Sequence, residues 1–153
     1  MPANLPVRDA MTTDVLSFKA DDDVRAAMEA LVERGVDGAP VVDDDDTVIG
    51  VITTGDLIVK QSRLHFPTVV AILGAAFEFK PRGFDEDLEK ALGSKVSDVM
   101  STPAITVDAD GTVEDAATTM HDNRVSRLPV VDDGRLVGIV SRVDVLRGML
   151  SDR

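Results

Sequence analysis

A chain of 153 residues that is 44% apolar can bury a core for one compact domain or for two small ones packed together. Aromatics are 3% of it, with no Trp or Tyr, so Val, Ile, Leu, Ala and Met must fill that core. The absence of cysteine excludes disulfides and thiolate chemistry, and a net charge of −12 opposes a nucleic-acid partner, whose phosphates require clustered Lys and Arg.

The first seven residues hold two prolines and no apolar run, unlike a secretory signal. The longest apolar stretch, 66–79, is about 14 residues, too short to span a bilayer. Composition therefore predicts a soluble cytoplasmic protein with a solvated acidic surface and no membrane partner.

In chain order, Val7 to Val15 opens a first unit, and residues 15–18 alternate weakly, as a short strand does. The run Asp21-Asp22-Asp23 precedes a helical stripe of Val24, Ala27, Met28 and Leu31, so its carboxylates read as helix caps rather than metal ligands. Gly35 suits the helix stop. Residues 40–42 and 48–52 then read as paired strands around the acidic turn 43–46, and a second helix begins near Leu57.

The same order recurs from Val96. A strand is expected at 105–107, an acidic cap at 108–110, and a helical stripe at Val113, Ala116, Ala117 and Met120. Strands at 128–131 and 136–140 flank an Asp-Asp-Gly turn. The offset is about 89 residues, falling to about 88 after the turn, and it matches Met11 with Met100, Pro40 with Pro129, Gly50 with Gly138 and Asp56 with Asp144. Each unit is β-α-β-β-α and too small to be stable alone, so the two copies should pack on each other, and the chain is expected to divide into 5–60, an insert at 61–94, and 95–150. The insert reads as an apolar helix over 67–77 and a short helix over 84–93.

After the last strand of each unit stands a hydroxyl followed three residues later by a carboxylate: Thr53 and Asp56, then Ser141 and Asp144. Such a pair caps a helix. It can also hold a ligand, because free N–H groups at the positive helix end suit a phosphate and a carboxylate suits ribose hydroxyls. His65 and His121 have no Ser, Cys or second His at catalytic spacing, so the chain does not read as an enzyme.

The duplicated unit resembles the cystathionine-β-synthase (CBS) domain. The resemblance is carried by Asp9-Ala10-Met11 and Asp98-Val99-Met100, by Ala39-Pro40-Val41-Val42-Asp43 and Leu128-Pro129-Val130-Val131-Asp132, and by Gly50-Val51-Ile52-Thr53-Thr54-Gly55-Asp56 and Gly138-Ile139-Val140-Ser141-Arg142-Val143-Asp144. It implies an α/β (α+β) pair of repeats packed about a pseudo-twofold axis, with clefts between them for AMP, ADP, ATP or S-adenosylmethionine as a regulatory ligand. Asp56 and Asp144 would take ribose hydroxyls, Thr53 and Ser141 phosphate. Adenine would rest against Thr13, Asp14 and Val15 or against Thr102, Pro103 and Ala104. Gly38, Ala39 and Pro40 would complete one ligand site, and Arg127, Leu128 and Pro129 the other.

Arg127 and Arg142 would serve phosphate in the second repeat, where the first has Gly38 and Thr54, so the second is expected to prefer the charged nucleotide. The resemblance further implies a homodimer and a non-catalytic sensor read by a separate effector protein, with no obligatory cofactor. The alternative is a structural or oligomerisation module that scaffolds a partner without ligand.

Overall fold

The computed structural model describes residues 4–60 and 94–151. The expected insert helices and His65 lie outside these residues. In order, the elements are α1 (Val7–Ala10), β1 (Phe18–Lys19), α2 (Val24–Arg34), β2 (Gly38–Val42), β3 (Val48–Thr53) and α3 (Thr54–Lys60). They continue with α4 (Val96–Val99), β4 (Val107–Asp108), α5 (Val113–Asn123), β5 (Arg127–Asp132), β6 (Arg135–Ser141) and α6 (Arg142–Leu150). The described residues form a mixed α/β fold with two three-stranded sheets, ordered β1-β2-β3 and β4-β5-β6.

Packing divides the chain into two units that do not follow its linear halves. Of the described residues, unit 1 takes 4–16, 42–48 and 103–151, and unit 2 takes 17–41, 49–60 and 94–102. The leading segment of each repeat is thus built into the unit formed mainly by the other repeat.

In unit 1 the core joins Val7 of α1, Val107 and Ala109, the α5 residues Val113, Ala116 and Met120, the strand residues Leu128, Val130 and Val140, and Val145 of α6. Strand β5 runs parallel to β4, pairing Val107 with Val130, and antiparallel to β6, with an irregularity between Val130 and Val131. Asp133 and Gly134 both take positive φ, 54° and 80°, which is the two-residue turn whose twist matches a hairpin. Helix α1 is tied down at its start, where the N–H groups of Val7 and Arg8 donate to the carbonyls of Gly111 and Ala109. Arg8 also bonds Asp132 at 3.0 Å and Asp110 at 3.1 Å, and these partners, Asp132 foremost, hold its pKa above the ordinary arginine value.

Unit 2 repeats the scheme. The predicted stripe of α2 (Val24, Ala27, Met28, Leu31) is buried, as are Ile52, Leu57, Val96 and Val99. Gly35, with φ 65°, ends α2 and donates its N–H toward Leu31 and Val32. Helix α5 ends instead on Arg124 in the same left-handed conformation, where a side chain carries a steric cost that glycine avoids.

Several sequence expectations need correction. The strands expected at 15–18 and 105–107 are β1 at Phe18–Lys19 and β4 at Val107–Asp108. Before β1 the chain changes unit at Leu16 and Ser17, and before β4 residues 104–106 take no regular structure. The acidic runs are not the helix caps. Asp23, at the start of α2, makes no side-chain capping bond, while the carboxylate of Asp22 accepts the N–H of Lys19 at 2.8 Å. Thr112 caps α5 by a reciprocal box with Asp115, and Asp108 accepts the N–H of Asp110 within its own turn. Short carboxylates thus close turns locally before a helix can recruit them. Ala117 is only partly buried at the edge of the α5 stripe.

Candidate functional site

Each predicted hydroxyl and carboxylate pair stands at a strand-to-helix corner, and both form reciprocal capping boxes. In unit 1 the N–H of Ser141 donates to Asp144 Oδ2 at 3.0 Å, and the N–H of Asp144 donates to Ser141 Oγ at 3.2 Å. In unit 2 the N–H of Thr53 donates to Asp56 Oδ2 at 3.2 Å, and that of Asp56 to Thr53 Oγ1 at 3.0 Å. The spacing S/T-x-x-D produces this because residues Ncap and N3 face each other across one turn. The helix ends are less open than the sequence suggests. The N–H of Arg142 donates to Ser126 O at 3.0 Å, and that of Thr54 to Asp37 O at 2.9 Å. Two first-turn N–H groups in each unit are therefore already engaged.

A second hydroxyl reaches each carboxylate from a distant part of the chain. Ser101 Oγ donates to Asp56 Oδ1 at 2.7 Å. Thr12 Oγ1 lies 3.4 and 3.5 Å from the two carboxylate oxygens of Asp144. Both hydroxyls are delivered by short antiparallel bridges. Thr12 exchanges both main-chain bonds with Ile139, at 2.8 and 2.9 Å, and Ser101 exchanges both with Val51. Glycines make these approaches possible. A Cβ on Gly138 would meet Met11 Sδ at 2.5 Å and Thr12 O at 2.9 Å, and one on Gly50 would meet Met100 Sδ at 2.8 Å and Ser101 O at 3.1 Å. Sequence reasoning missed Thr12 and Ser101, although a hydroxyl follows the matched methionine in both repeats.

The carboxylates differ in their remaining partners. Asp144 is buried, its side chain 7% exposed, and its Oδ1 accepts from Arg147 Nη1 at 3.1 Å. Arg147 was also missed, although its i, i+3 spacing from Asp144 on one helix was a readable signal. Arg127 sits directly across the ladder from Ser141. It is half-buried, and its Nε is shielded from solvent. Its counterpart Gly38 lies against Thr53, whose Cγ2 would be 3.1 Å from any added Cβ. Serine at 141 lacks that methyl. The choice of Ser or Thr at the corner thus matches the size of the residue opposite.

Of the other predicted residues, Thr13, Asp14, Thr102 and Pro103 are exposed and Val15 and Ala104 half-buried, all following the two bridges. Thr13, Asp14 and Val15 follow Thr12 directly in the chain, and of this segment it is Thr12 whose hydroxyl reaches Asp144. Ala39 and Leu128 are core side chains, 2% and 0% exposed, which leaves a ligand only their main chain. Pro40 and Pro129 are buried, and Arg142 is exposed. Among the described residues no group of His, Cys, Asp or Glu is arranged to hold a metal.

The CBS domain model matches residues 7–63 and 96–151, covering both repeats. The chain belongs to the CBS-domain family. An uncharacterized protein of Methanocaldococcus jannaschii is 34% identical over 154 residues, 94% of this CBS chain and 90% of that one. CBSX2, a chloroplastic CBS domain-containing protein of Arabidopsis thaliana, is 34% identical over 141 residues, of which this chain spans 57% of the plant protein's length. The crystal structure of CBSX2 in complex with AMP matches with a TM-score of 0.69 and 32% identity, covering 95% of this chain and 96% of that one. The CBS domain of a CBS domain containing membrane protein from Sphaerobacter thermophilus matches with a TM-score of 0.76 and 30% identity, covering 95% and 88%. In the present chain, no described helix is long and apolar enough to cross a membrane.

Proposed function

We propose that this CBS chain is a non-catalytic regulatory module that binds an adenosine-containing ligand and signals through a conformational or oligomeric change. The observation that carries the reading is the duplicated corner, where a carboxylate is fixed by its own helix start beside a hydroxyl that a bridge delivers. A carboxylate so fixed is already oriented toward the O–H groups of a ribose, which lowers the entropic cost of binding. The AMP complex of CBSX2, at 32% identity, supports an adenine nucleotide as the ligand class; ADP, ATP and S-adenosylmethionine share the same adenosyl chemistry.

The two sites are not equivalent in this reading. The Asp144 site has Arg127 across the ladder and Arg142 at the helix start, two guanidinium groups suited to phosphate. The Asp56 site has Gly38 and Thr54 at those positions, neither of which carries a charge for phosphate. The anionic nucleotide therefore goes to Asp144. A ligand that prefers one arrangement of the pair shifts its population by the difference in affinity, and a separate effector protein reads that shift.

The test is calorimetry and thermal shift with AMP, ADP, ATP and S-adenosylmethionine on wild type, Asp56→Asn and Asp144→Asn. A ligand at 100 times its Kd adds about 2.7 kcal/mol of stability, well within detection. Binding lost in Asp144→Asn and retained in Asp56→Asn is expected. Silence from all four ligands would overturn the nucleotide assignment and favour a ligand-free scaffold.

A further inference from the structure

We infer that Arg147 is a built-in competitor for the ribose-binding face of Asp144, so that the ion pair between them sets the affinity of the site for the nucleoside portion of its ligand. This inference rests on the functional reading above and adds the residue that regulates it.

A carboxylate offers about four lone-pair positions. On Asp144, Oδ2 accepts the N–H of Ser141 at 3.0 Å, Thr12 Oγ1 lies 3.4 and 3.5 Å from the two oxygens, and Oδ1 accepts Arg147 Nη1 at 3.1 Å. A cis-diol donating two O–H groups needs two positions, and these partners leave one. One partner must yield. Ser141 is held by its capping box and Thr12 by two main-chain bonds to Ile139. The Arg147 side chain is 71% exposed and, among the described residues, is tied only to this carboxylate, so it is the cheapest of the three to displace.

Arg147 lies one turn along α6 from Asp144, and its guanidinium is turned back onto that carboxylate. Its ion pair with a buried carboxylate must be broken by the diol, with no compensating contact to a neutral nucleoside. The arrangement is peculiar to this site, since position 59, which corresponds to 147 in the first repeat, is valine.

The experiment titrates adenosine and AMP by calorimetry into wild type, Arg147→Met and Arg147→Lys at low and at physiological salt. Methionine keeps the apolar stem and removes the charge at an exposed position, so folding is preserved. Removing the competing pair is expected to tighten adenosine about two- to fivefold, the scale set by an ion pair whose guanidinium is solvated, while Arg147→Lys stays near wild type. Added salt screens the pair, so adenosine affinity should rise with salt in wild type and stay flat in Arg147→Met. If AMP and adenosine bind wild type but Arg147→Met leaves adenosine affinity unchanged or weaker, the competition is overturned and the site assignment stands. If no variant binds either ligand, both fall. Binding of adenosine to Arg147→Met alone would establish the competition directly.

Discussion

Replacing Gly138 with alanine would place a methyl carbon 2.5 Å from Met11 Sδ, 3.0 Å from Met11 Cγ and 2.9 Å from Thr12 O. The sulfur ends a flexible side chain and can swing aside. The carbonyl cannot, because the same oxygen accepts the N–H of Ile139 at 2.9 Å while Thr12 donates back to Ile139 O at 2.8 Å. Accommodating the methyl means stretching two hydrogen bonds worth about 0.5–1.5 kcal/mol each, or straining β6 at a similar cost. The expected loss is about 1–3 kcal/mol. At about 2–4 °C per kcal/mol for a chain of this size, that lowers Tm by about 2–12 °C. With no Trp or Tyr in the chain, urea unfolding followed by far-UV circular dichroism is the natural assay. Amide exchange at Ile139 reports the bridge itself. The matching Gly50→Ala, whose contacts are 2.8 Å to Met100 Sδ and 3.1 Å to Ser101 O, should cost less. A Gly138→Ala chain within about 0.5 kcal/mol of wild type, with the Ile139 amide still protected, would refute the docking of the leading segment on β6.

Two further outcomes follow from the caps and the exposed faces. The Thr112 main chain and hydroxyl hold the Asp115 carboxyl below its ordinary pKa. A depressed folded pKa means the carboxylate's contribution is complete above the unfolded value near 3.8 and is lost as pH falls through the lower folded one. Asp115→Asn should accordingly lose part of the acid dependence of unfolding below that pH, and an unchanged acid limb would count against the box. Helix α6 leaves Val143, Leu146 and Leu150 59–62% exposed at i, i+3 and i+7, with Met149 beside them. If the proposed homodimer uses this stripe, Leu146→Glu should shift sedimentation from dimer to monomer; a monomeric wild type would remove the dimer from the proposal.

What the sequence by itself determined was the periodic and turn-forming pattern along the chain. The stripes of α2 and α5 follow from a period of 3.6, the β5–β6 turn from Asp-Asp-Gly, and the two capping boxes from a hydroxyl three residues ahead of a carboxylate. The order of these signals, given twice, was enough to show the repeat and its family. Tertiary structure alone decided which partners meet across the chain. Thr12 reaches Asp144 over 132 residues, and Ser101 reaches Asp56 over 45. The two repeats carry the same methionine, glycine and hydroxyl, so their sequences fit either docking equally well. Packing selects between them, because the leading segment of one repeat fills the space that a glycine leaves on the other repeat's last strand. The acidic runs misled for a related reason. Capping depends on which N–H group a short carboxylate reaches first, and at Asp22 and Asp108 that group lay within the turn.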